Sequence, residues 1–379
     1  MKKCKVVIVV GTRPNFIKIT QFEKEFNRFG DFFDYKLVHT GQHYDQNMSQ
    51  VFFGQLGLKK PDITLNVKGK TPAEQIGTII IKLDESFSDF EPDLVVVVGD
   101  VNSTLAAAIA ANKRNIKLAH LESGLRSHDR AMPEEINRIL TDNITNEFYV
   151  TEQSGMDNLE AEIKREANLH FVGNTMIDTL VAFEKDIQAS PILEEIKVAT
   201  KDYALMTMHR PRNVDTKAAL RKMLDVIQHI TQYTKLVFPI HPRTTNSLKK
   251  HDLYEELTAN KAVILTKPLG YLAFQKLIAN SNFVLTDSGG IQEETTFRQV
   301  PCLTLRPNTE RPVTVTIGTN ELVPFDPKVI GAKIEAIHNG TYKTGTIPKF
   351  WDGQATRRIV AVMHQQHLEE NNLEAISKA

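Results

Sequence analysis

Cysteine and tryptophan are scarce in this chain of 379 residues, which has two cysteines and one tryptophan. Cys4 and Cys302 lie far apart and neither stands in a metal-ligand spacing, so the sequence predicts neither a disulfide scaffold nor a zinc site. A chain without a disulfide framework is typical of a reducing compartment, and we expect a cytoplasmic protein.

The chain also lacks net charge and long hydrophobic runs. Its 46 Lys and Arg residues balance 46 Asp and Glu residues, so no overall field would gather a polyanion or an anionic membrane. The apolar run Val6–Val10 is too short for a secretory signal, and no later segment approaches the ~18 apolar residues of a spanning helix. We therefore expect a soluble protein with neither nucleic acid nor a membrane as its partner.

What the chain does have is the composition of a globular protein. Hydrophobic residues make up 41% and charged residues 24%, which favours packed cores over disorder or coiled coil. Its length exceeds the roughly 100–200 residues of an ordinary domain, so two domains are expected.

Short β-branched runs alternate with stretches of helical periodicity along the chain. Leu94–Val98 is apolar at every position, which is typical of a parallel strand covered by helices on both faces. We predict an α/β protein with two doubly wound parallel-sheet domains, residues 1–186 and 187–355, and a C-terminal helix in 356–379 that packs back on the first domain. The predicted strands are Val6–Val10, Tyr35–His39, Leu94–Val98, Leu118–Leu121, Phe148–Val150, Leu169–Val172, Ala204–Met208, Leu236–Ile240, Ala262–Leu265, Phe283–Thr286 and Cys302–Leu305.

Ligands of such sheets bind beyond the carboxyl ends of the strands. After the first strand, a turn at Gly11 leads into a helix that carries Arg13 and Lys18, an arrangement that suits an anion. The alternative is a structural turn with two surface cations. Neither the Gly-x-Gly-x-x-Gly dinucleotide motif nor a P-loop occurs in the chain.

Carboxylates follow successive strands of the first half. Asp100 comes after Leu94–Val98, Glu122 ends the next strand, and Glu134 begins a helix after Pro133. Each has a structural alternative, since Asp100 could cap a helix and Glu134 could complement a helix dipole. Because strand ends converge at one edge of a sheet, the three together favour acid–base chemistry.

Histidines and a glycine turn follow strands of the second half. His209 and Arg210 come directly after one strand and His241 after the next; each histidine could serve as a general acid or an anion partner, or as an ordinary loop residue. The run from Ser288 through Gly289 and Gly290 to Glu294 is a strand, a two-glycine turn and a helix. Its N–H groups suit a diphosphate, and the glutamate suits the hydroxyls of a ribose.

Three further features accompany these strand ends. Arg311 offers another cation for a phosphate, and Phe274 could stack on a base or simply belong to a core. His39 and His43 are four residues apart across a turn, without the helical geometry of a metal pair, so no metal site is predicted.

These motifs, taken in order from Gly11 to about Gly353, resemble those of the non-hydrolysing UDP-N-acetylglucosamine 2-epimerases. The matching motifs are Gly-Thr-Arg-Pro-x-x-x-Lys, Gly-Asp, Glu-Ser-Gly-Leu-Arg, Met-Pro-Glu-Glu-x-Asn-Arg, His-Arg-Pro, Asp-Ser-Gly-Gly-Ile-Gln-Glu-Glu and Thr-Glu-Arg-Pro. The resemblance implies a GT-B fold, in which two Rossmann-like domains flank the active site, and a homodimer. It also implies that a UDP-sugar is epimerised at C2 without a cofactor, by elimination of UDP to a glycal and re-addition.

The resemblance assigns roles to particular residues. It implies catalytic roles for Asp100, Glu122, Glu134 and His209, and an allosteric site that would include Gln42 and His43. The substrate-binding residues that it implies are Arg13, Lys18, Arg210, His241, Phe274, Ser288, Gly289, Gly290, Glu294 and Arg311.

Departures from the family pattern leave the substrate open. Asn15, Arg212 and Val313 stand where the family often has glutamate. The alternatives are an epimerase of a modified UDP-sugar, of the diacetamido-uronic acid or N-acetylfucosamine type, and a GT-B glycosyltransferase, which would not need three acids in the first half. A hydrolysing epimerase and a non-catalytic sugar-nucleotide sensor are more distant alternatives.

Overall fold

The computed structural model describes residues 2–41, 54–67, 69 and 71–377, and it divides into two compact units. The first unit comprises 1–182 together with 349–379, and the second comprises 183–348. The domain limits expected from the sequence were 186/187 and 355/356, whereas the units divide at 182/183 and 348/349.

The first unit is built on a seven-stranded parallel sheet with the strand order β3-β2-β1-β4-β5-β6-β7. All five residues of its fourth strand are buried, because helices cover both faces. The strands are β1 (Cys4–Val10), β2 (Phe33–His39), β3 (Ile63–Thr64), β4 (Leu94–Val98), β5 (Lys117–Ser123), β6 (Glu147–Val150) and β7 (Asn168–Phe171).

Helices alternate with these strands. They are α1 (Arg13–Ile19), α2 (Phe22–Asn27), α3 (Pro72–Phe90), α4 (Asn102–Lys113), α5 (Pro133–Ile144), α6 (Gln153–Glu162) and α7 (Thr175–Ala182). The alanine-rich α4 buries most of its residues, since small side chains let it lie close to the sheet and to α3.

The second unit repeats this architecture with a six-stranded parallel sheet in the order β10-β9-β8-β11-β12-β13. Its strands are β8 (Tyr203–Thr207), β9 (Lys235–Pro239), β10 (Val263–Thr266), β11 (Val284–Thr286), β12 (Cys302–Thr304) and β13 (Asn320–Leu322). Its helices are α8 (Glu184–Ala189), α9 (Ile192–Glu195), α10 (Pro211–Val214), α11 (Lys217–Thr231), α12 (Pro242–Lys250), α13 (Tyr254–Ala259), α14 (Tyr271–Asn280), α15 (Gly290–Phe297), α16 (Pro312–Thr316) and α17 (Pro327–His338).

The predicted class of two parallel-sheet α/β domains is therefore confirmed. The sequence did not reveal the edge strands β3 and β13, which are two and three residues long and carry polar residues. In the part of the chain that the structure describes, no helix is both long and apolar enough to cross a membrane.

The last helix, α18 (Ala355–Ser377), belongs to the first unit. Its first turn is capped by the buried carboxylate of Asp178, which accepts hydrogen bonds from the N–H groups of Ala355 at 3.0 Å and Thr356 at 2.6 Å. Just before the helix, the buried Trp351 donates its indole N–H to the carbonyl oxygen of Thr151 at 3.1 Å. The C-terminal segment is thus part of the core of the first unit.

Glu147, at the start of β6, connects the sheet to this helix. Its buried carboxylate accepts hydrogen bonds from Asn168 at 2.8 Å and from Gln366 of α18 at 2.6 Å. It also contacts His170 at 2.9 Å and Lys117 at 2.9 Å. Burial alone would raise the pKa of this carboxyl group, but these partners outweigh it and lower the pKa from 4.5 to about 2.

Glu147→Gln should make the protein less stable at pH 7, because the charge-assisted contacts are lost. The pKa gap between 4.5 and about 2 corresponds to on the order of 3 kcal/mol in the free energy of unfolding. Since the folded-state pKa is depressed, this contribution is complete above the unfolded pKa and is lost as pH falls from 4.5 towards 2.

Urea unfolding followed by the fluorescence of Trp351 measures this effect at pH 7 and at pH 3. The difference between the wild type and Glu147→Gln should be clearly smaller at pH 3 than at pH 7, whereas Glu160→Gln, at an exposed position of α6, should match the wild type throughout. An equal difference at both pH values would contradict the assignment.

Candidate active site

The carboxyl edge of the first sheet brings Lys18, Gly99 and Glu122 together. Lys18 of α1 forms a buried ion pair with Glu122 of β5. A Cβ atom placed on Gly99 would lie 3.2 Å from Glu122 Oε2 and 3.4 Å from Lys18 Nζ, and the backbone φ there is +67°. Only glycine fits this position without strain, so the turn after β4 lies directly against the ion pair.

Glu122 itself has an unusual backbone. Its φ is +72°, in the left-handed region that a glutamate rarely adopts, and the register between β5 and β6 shifts between Leu121 and Ser123. Backbone strain of this kind persists where the surrounding structure imposes it, and it concentrates at functional sites. The bulge directs the carboxylate to Lys18.

Asp100 follows Gly99 and forms an ion pair with Arg138 of α5. Its side chain is 26% exposed, compared with 7% for Glu122. The buried amide of Asn137 donates to the backbone carbonyl of Asp100 at 2.9 Å, so both the main chain and the carboxylate of this residue are bound by α5. The predicted acids at positions 100 and 122 therefore lie at one edge of the sheet.

The two glutamates that begin α5 have different environments. Glu134, the predicted catalytic residue, is exposed, and its side chain makes no hydrogen bond or ion pair with any other described residue. Glu135 is buried and accepts hydrogen bonds from the N–H groups of Ser127 and His128, both at 2.9 Å, and pairs with Arg138 at 2.7 Å. Burial would raise the pKa of Glu135, but these contacts lower it.

The side chain of Asn15 forms hydrogen bonds that hold the turn at Gly11. Asn15 Oδ1 accepts hydrogen bonds from the N–H groups of Gly11 and Thr12, each at 3.1 Å, and Asn15 Nδ2 donates to the carbonyl of Val98 at 3.2 Å. Asn15 therefore occupies these two N–H groups. The side chains remain: Lys18 pairs with Glu122, and Arg13 is half-buried on the first turn of α1.

In the second unit, Asp287 binds the loop that carries His209. The buried carboxylate of Asp287 accepts the N–H groups of His209 at 3.0 Å and Arg210 at 2.8 Å, and it contacts His209 Nδ1 at 2.9 Å. Burial would raise the pKa of Asp287, but the hydrogen bond and charge of His209 and these N–H donors lower it. The histidine side chain is thereby held at the ends of β8 and β11 and stays 42% exposed.

His241 lies beside His209, with 5.5 Å between the ring centroids. It also caps α12, since its Nδ1 accepts the N–H of Arg243 at 3.1 Å. Burial, then the neighbouring His209 and Arg243, lower the pKa of His241 below its ordinary value. A neutral imidazole with an acceptor nitrogen matches this cap.

The glycine turn that precedes α15 is surrounded by charged side chains. A Cβ atom on Gly289 would lie 2.9 Å from Glu310 Oε1, 3.2 Å from Arg311 Nη1 and 3.5 Å from Arg306 Nη1. The buried Arg306 pairs with Glu310 at 2.8 Å, and its Nη1 has no hydrogen-bond partner among the described residues. The turn therefore faces a guanidinium group with spare donors.

The other predicted ligands of the second unit have mixed surroundings. The N–H of Ser288 is taken by Thr286 Oγ1 at 3.0 Å, so it is not available as predicted. Gly290 begins α15, and Glu294 lies on it with 6% exposure. Phe274 is half-buried and packs against the apolar core of this unit, which matches the structural alternative for that residue.

Of the remaining predicted residues, Gln42 and His43 lie outside the described residues. His39 is buried against Phe16, with 5.1 Å between the rings. No cluster of three or more His, Cys, Asp or Glu side chains suited to a metal ion occurs within the described parts of the chain.

A family model described as UDP-N-acetylglucosamine 2-epimerase matches residues 25–364. The chain belongs to the UDP-N-acetylglucosamine 2-epimerase family. A relative from Methanocaldococcus jannaschii with that name is 39% identical over 365 residues, covering 95% of this chain and 98% of the relative. A Pseudomonas aeruginosa relative named UDP-2,3-diacetamido-2,3-dideoxy-D-glucuronate 2-epimerase is 38% identical over 363 residues, covering 94% and 98%.

Solved structures of the UDP-N-acetylglucosamine 2-epimerase family show the same architecture. The crystal structure of the Methanocaldococcus jannaschii enzyme in complex with UDP-GlcNAc and UDP matches with a TM-score of 0.85 at 38% identity, covering 95% of this chain and 99% of that one. The predicted family and a GT-B-like fold of two Rossmann-like units are therefore confirmed.

Asp287→Asn tests the contact that binds the His209 loop. The amide would present donors to N–H groups that now meet a carboxylate, so the free energy of unfolding should fall by about 2 kcal/mol at pH 7. Because the pKa of Asp287 is depressed in the folded protein, the difference from wild type should shrink as pH falls below 3.8.

Urea titrations at pH 7 and pH 3 decide this, with Asp215→Asn as the matched control. Asp215 forms an exposed pair with Arg243, and its substitution should leave the midpoint unchanged. Wild-type stability of Asp287→Asn at pH 7 would refute the prediction.

Proposed function

We propose that this chain epimerises a UDP-N-acetylhexosamine at C2 without hydrolysing it, interconverting UDP-GlcNAc and UDP-ManNAc. The observation that carries the proposal is the buried Lys18–Glu122 pair against the Gly99–Asp100 turn, which places two carboxylates and a cation at one sheet edge. The names of the relatives and the UDP-GlcNAc and UDP bound in one of their structures support the same activity.

The chemistry requires both acids and cations. The hydrogen at C2 of the sugar is not acidic, so the proposed route eliminates UDP across C1–C2 to give a glycal and then adds UDP back with the proton on the other face. A carboxylate must remove that proton and another must return it, which is a role for Asp100 and Glu122, with Glu134 as a further candidate. Cations must stabilise the charge that develops on the departing diphosphate.

The second unit supplies groups suited to that diphosphate. We propose that Gly289, Gly290, Arg306 and Arg311 bind it, that Glu294 binds the ribose and that His209 and Arg210 act at the phosphate. Arg306 was not expected from the sequence, and its unpaired Nη1 beside Gly289 supports a direct contact. The other predicted substrate contacts of the second unit are His241, Ser288 and Phe274.

A modified UDP-sugar is the second candidate substrate. The relative that acts on a diacetamido-glucuronate is about as similar to this chain as the UDP-GlcNAc 2-epimerase is, at 38% and 39% identity. In the second unit, Arg212 and Arg306 also line a cavity of about 330 Å³ with Pro307, Val323 and Phe325. Arginine side chains suit the carboxylate of a uronic acid.

The resemblance further suggests a cytoplasmic homodimer that binds no nucleic acid. An enzyme that uses a UDP-sugar is expected in the compartment where nucleotide sugars are made, and the balanced charge offers no field for a polyanion. Gel filtration with light scattering measures the oligomeric state directly.

Proton NMR of the purified protein with UDP-GlcNAc in deuterium oxide tests the proposed reaction. UDP-ManNAc that carries deuterium at C2 is the expected product. Turnover of UDP-diacetamido-glucuronate with UDP-GlcNAc left unchanged would favour the second candidate. Release of free N-acetylmannosamine would instead indicate a hydrolysing epimerase.

Asp100→Asn and Glu122→Gln should each lower turnover by ~10²-fold or more while UDP still binds, because each removes a proton-transfer group without changing its shape. Steady-state kinetics and calorimetry with UDP measure the two effects separately. Asp129→Asn, at a half-buried position of the loop before α5, is the control and should keep wild-type turnover. Wild-type turnover in either test variant would remove that carboxylate from the mechanism.

Arg306→Lys should weaken UDP binding about tenfold, because lysine keeps the charge but loses the planar fork of donors. Uridine, which has no phosphate, should bind the variant within about twofold of wild type. Calorimetry with both ligands measures this, and Arg221→Lys, in an exposed pair with Glu256, is the control. Equal weakening for UDP and uridine would show that Arg306 acts through the fold instead.

A further inference from the structure

A fully buried histidine, His120 of β5, contacts the turn that carries Asp100 and lies in the same strand as Glu122. Its side chain is 0% exposed. His120 Nδ1 is 2.7 Å from Asp142 Oδ1, and His120 Nε2 is 2.7 Å from the carbonyl oxygen of Gly99. No role was expected for this histidine from the sequence, because it sits inside a buried strand.

The two contacts determine which ring atoms carry hydrogen. The carbonyl oxygen of Gly99 can only accept, so Nε2 must donate to it. Asp142 Oδ2 accepts from Arg126 Nη1 at 2.7 Å and from the N–H of Gly124 at 3.2 Å. A guanidinium and an N–H at this oxygen favour the ionised form of Asp142, to which Nδ1 can only donate. A ring that donates from both nitrogens is an imidazolium cation.

The surrounding charges make a buried cation acceptable. With the ring doubly protonated, His120 and Arg126 are two cations facing the carboxylates of Asp142 and Glu162, the second of which pairs with Arg126 at 2.7 Å. Burial would raise the pKa of Asp142, but His120 and Arg126 lower it. Two positive and two negative groups thus form a neutral cluster whose hydrogen bonds are satisfied.

Gly99 is bound by β5 through both its N–H and its carbonyl group. Its N–H donates to the carbonyl of Leu121 at 3.0 Å, and its carbonyl accepts from His120 Nε2. Gly99 adopts φ +67° and lies against Glu122 and Lys18, while Asp100 is the next residue. His120 is two residues before Glu122 in β5. This strand therefore carries Glu122 and also holds the turn that carries Asp100.

We propose that His120 is a positioning residue for the epimerisation: as a buried imidazolium paired with Asp142, it holds the Gly99–Asp100 turn in register with Glu122. This inference rests on the proposed function. It assigns the histidine no contact with substrate, and it predicts an effect on turnover through the separation of two carboxylates. A displacement of about 1 Å in such a pair can reduce a rate by ~10²-fold.

Two substitutions separate the contacts of the ring. The amide nitrogen of glutamine can take the place of Nε2 and donate to Gly99, whereas that of asparagine takes the place of Nδ1 and reaches only Asp142. His120→Asn should therefore lower kcat ~10²-fold with the KM and the UDP affinity within about twofold of wild type. His120→Gln should recover at least tenfold of that loss, although it lacks the contact with Asp142.

His170→Asn is the matched control, because it also removes a histidine that contacts a buried carboxylate, Glu147, in the same unit. It should lower stability while turnover stays within about twofold of wild type. If His120→Asn and His120→Gln lose turnover equally, and the loss follows their loss of stability, the histidine has only a structural role.

The charge of the ring is measured independently of activity by nitrogen-15 NMR of the labelled wild-type protein near pH 7. Both ring nitrogens of His120 should show one-bond coupling to hydrogen, with the signals assigned by their absence in a variant at this position. A ring with one bare nitrogen overturns the proposal whatever the activity of the variants.

The two readouts also separate this proposal from the proposed function. If the wild type epimerises no UDP-sugar, the proposed function fails, while the NMR spectrum still reports whether the ring is doubly protonated. If the wild type is active and His120→Asn turns over at the wild-type rate, only the positioning role fails.

Discussion

A carboxylate removed from water needs a cation or several donors, and Glu122 meets this constraint through Lys18. Much of the first unit is arranged around that pair. Helix α1 must present its lysine to the end of β5, and the turn after β4 must carry no side chain where it touches both groups. The main chain at Glu122 accepts a left-handed conformation in order to aim the carboxylate.

The second unit solves the related problem of holding an exposed histidine at a fixed place. There a buried carboxylate, Asp287, binds the main chain of the following loop as well as the ring of His209. The two units thus share one strategy. Groups suited to chemistry stand at the ends of strands, and buried partners fix their orientation.

The positions of strand ends could be predicted from the sequence, because β-branched runs and the residues that follow them are visible in it. Asp100, Glu122 and His209 lie where that reasoning placed them. The supporting residues could not be found in the same way. Asp287 binds a loop almost eighty residues earlier in the chain, and His120 looks like any polar residue in a buried strand.

Two local features of the structure could not be foreseen, for physical reasons that the sequence does not display. A glycine turn before a helix offers free N–H groups only if no neighbour claims them, and Asn15 claims two of those at Gly11. Adjacent acids such as Glu134 and Glu135 are interchangeable in a motif, yet the rotation of the helix buries one and exposes the other. Asn15, at a position where the family often has glutamate, was the available signal in the sequence that these N–H groups are occupied.

The segment that includes Trp351 and α18 has a consequence for how the chain is made. Because residues 349–379 complete the first unit, the second unit is an insertion within it, and the chain passes between the units twice. The second unit is synthesised whole before the first has its last helix. On the ribosome, the unit whose first residues are made earlier is therefore the one that must wait for residues 349–379 to emerge.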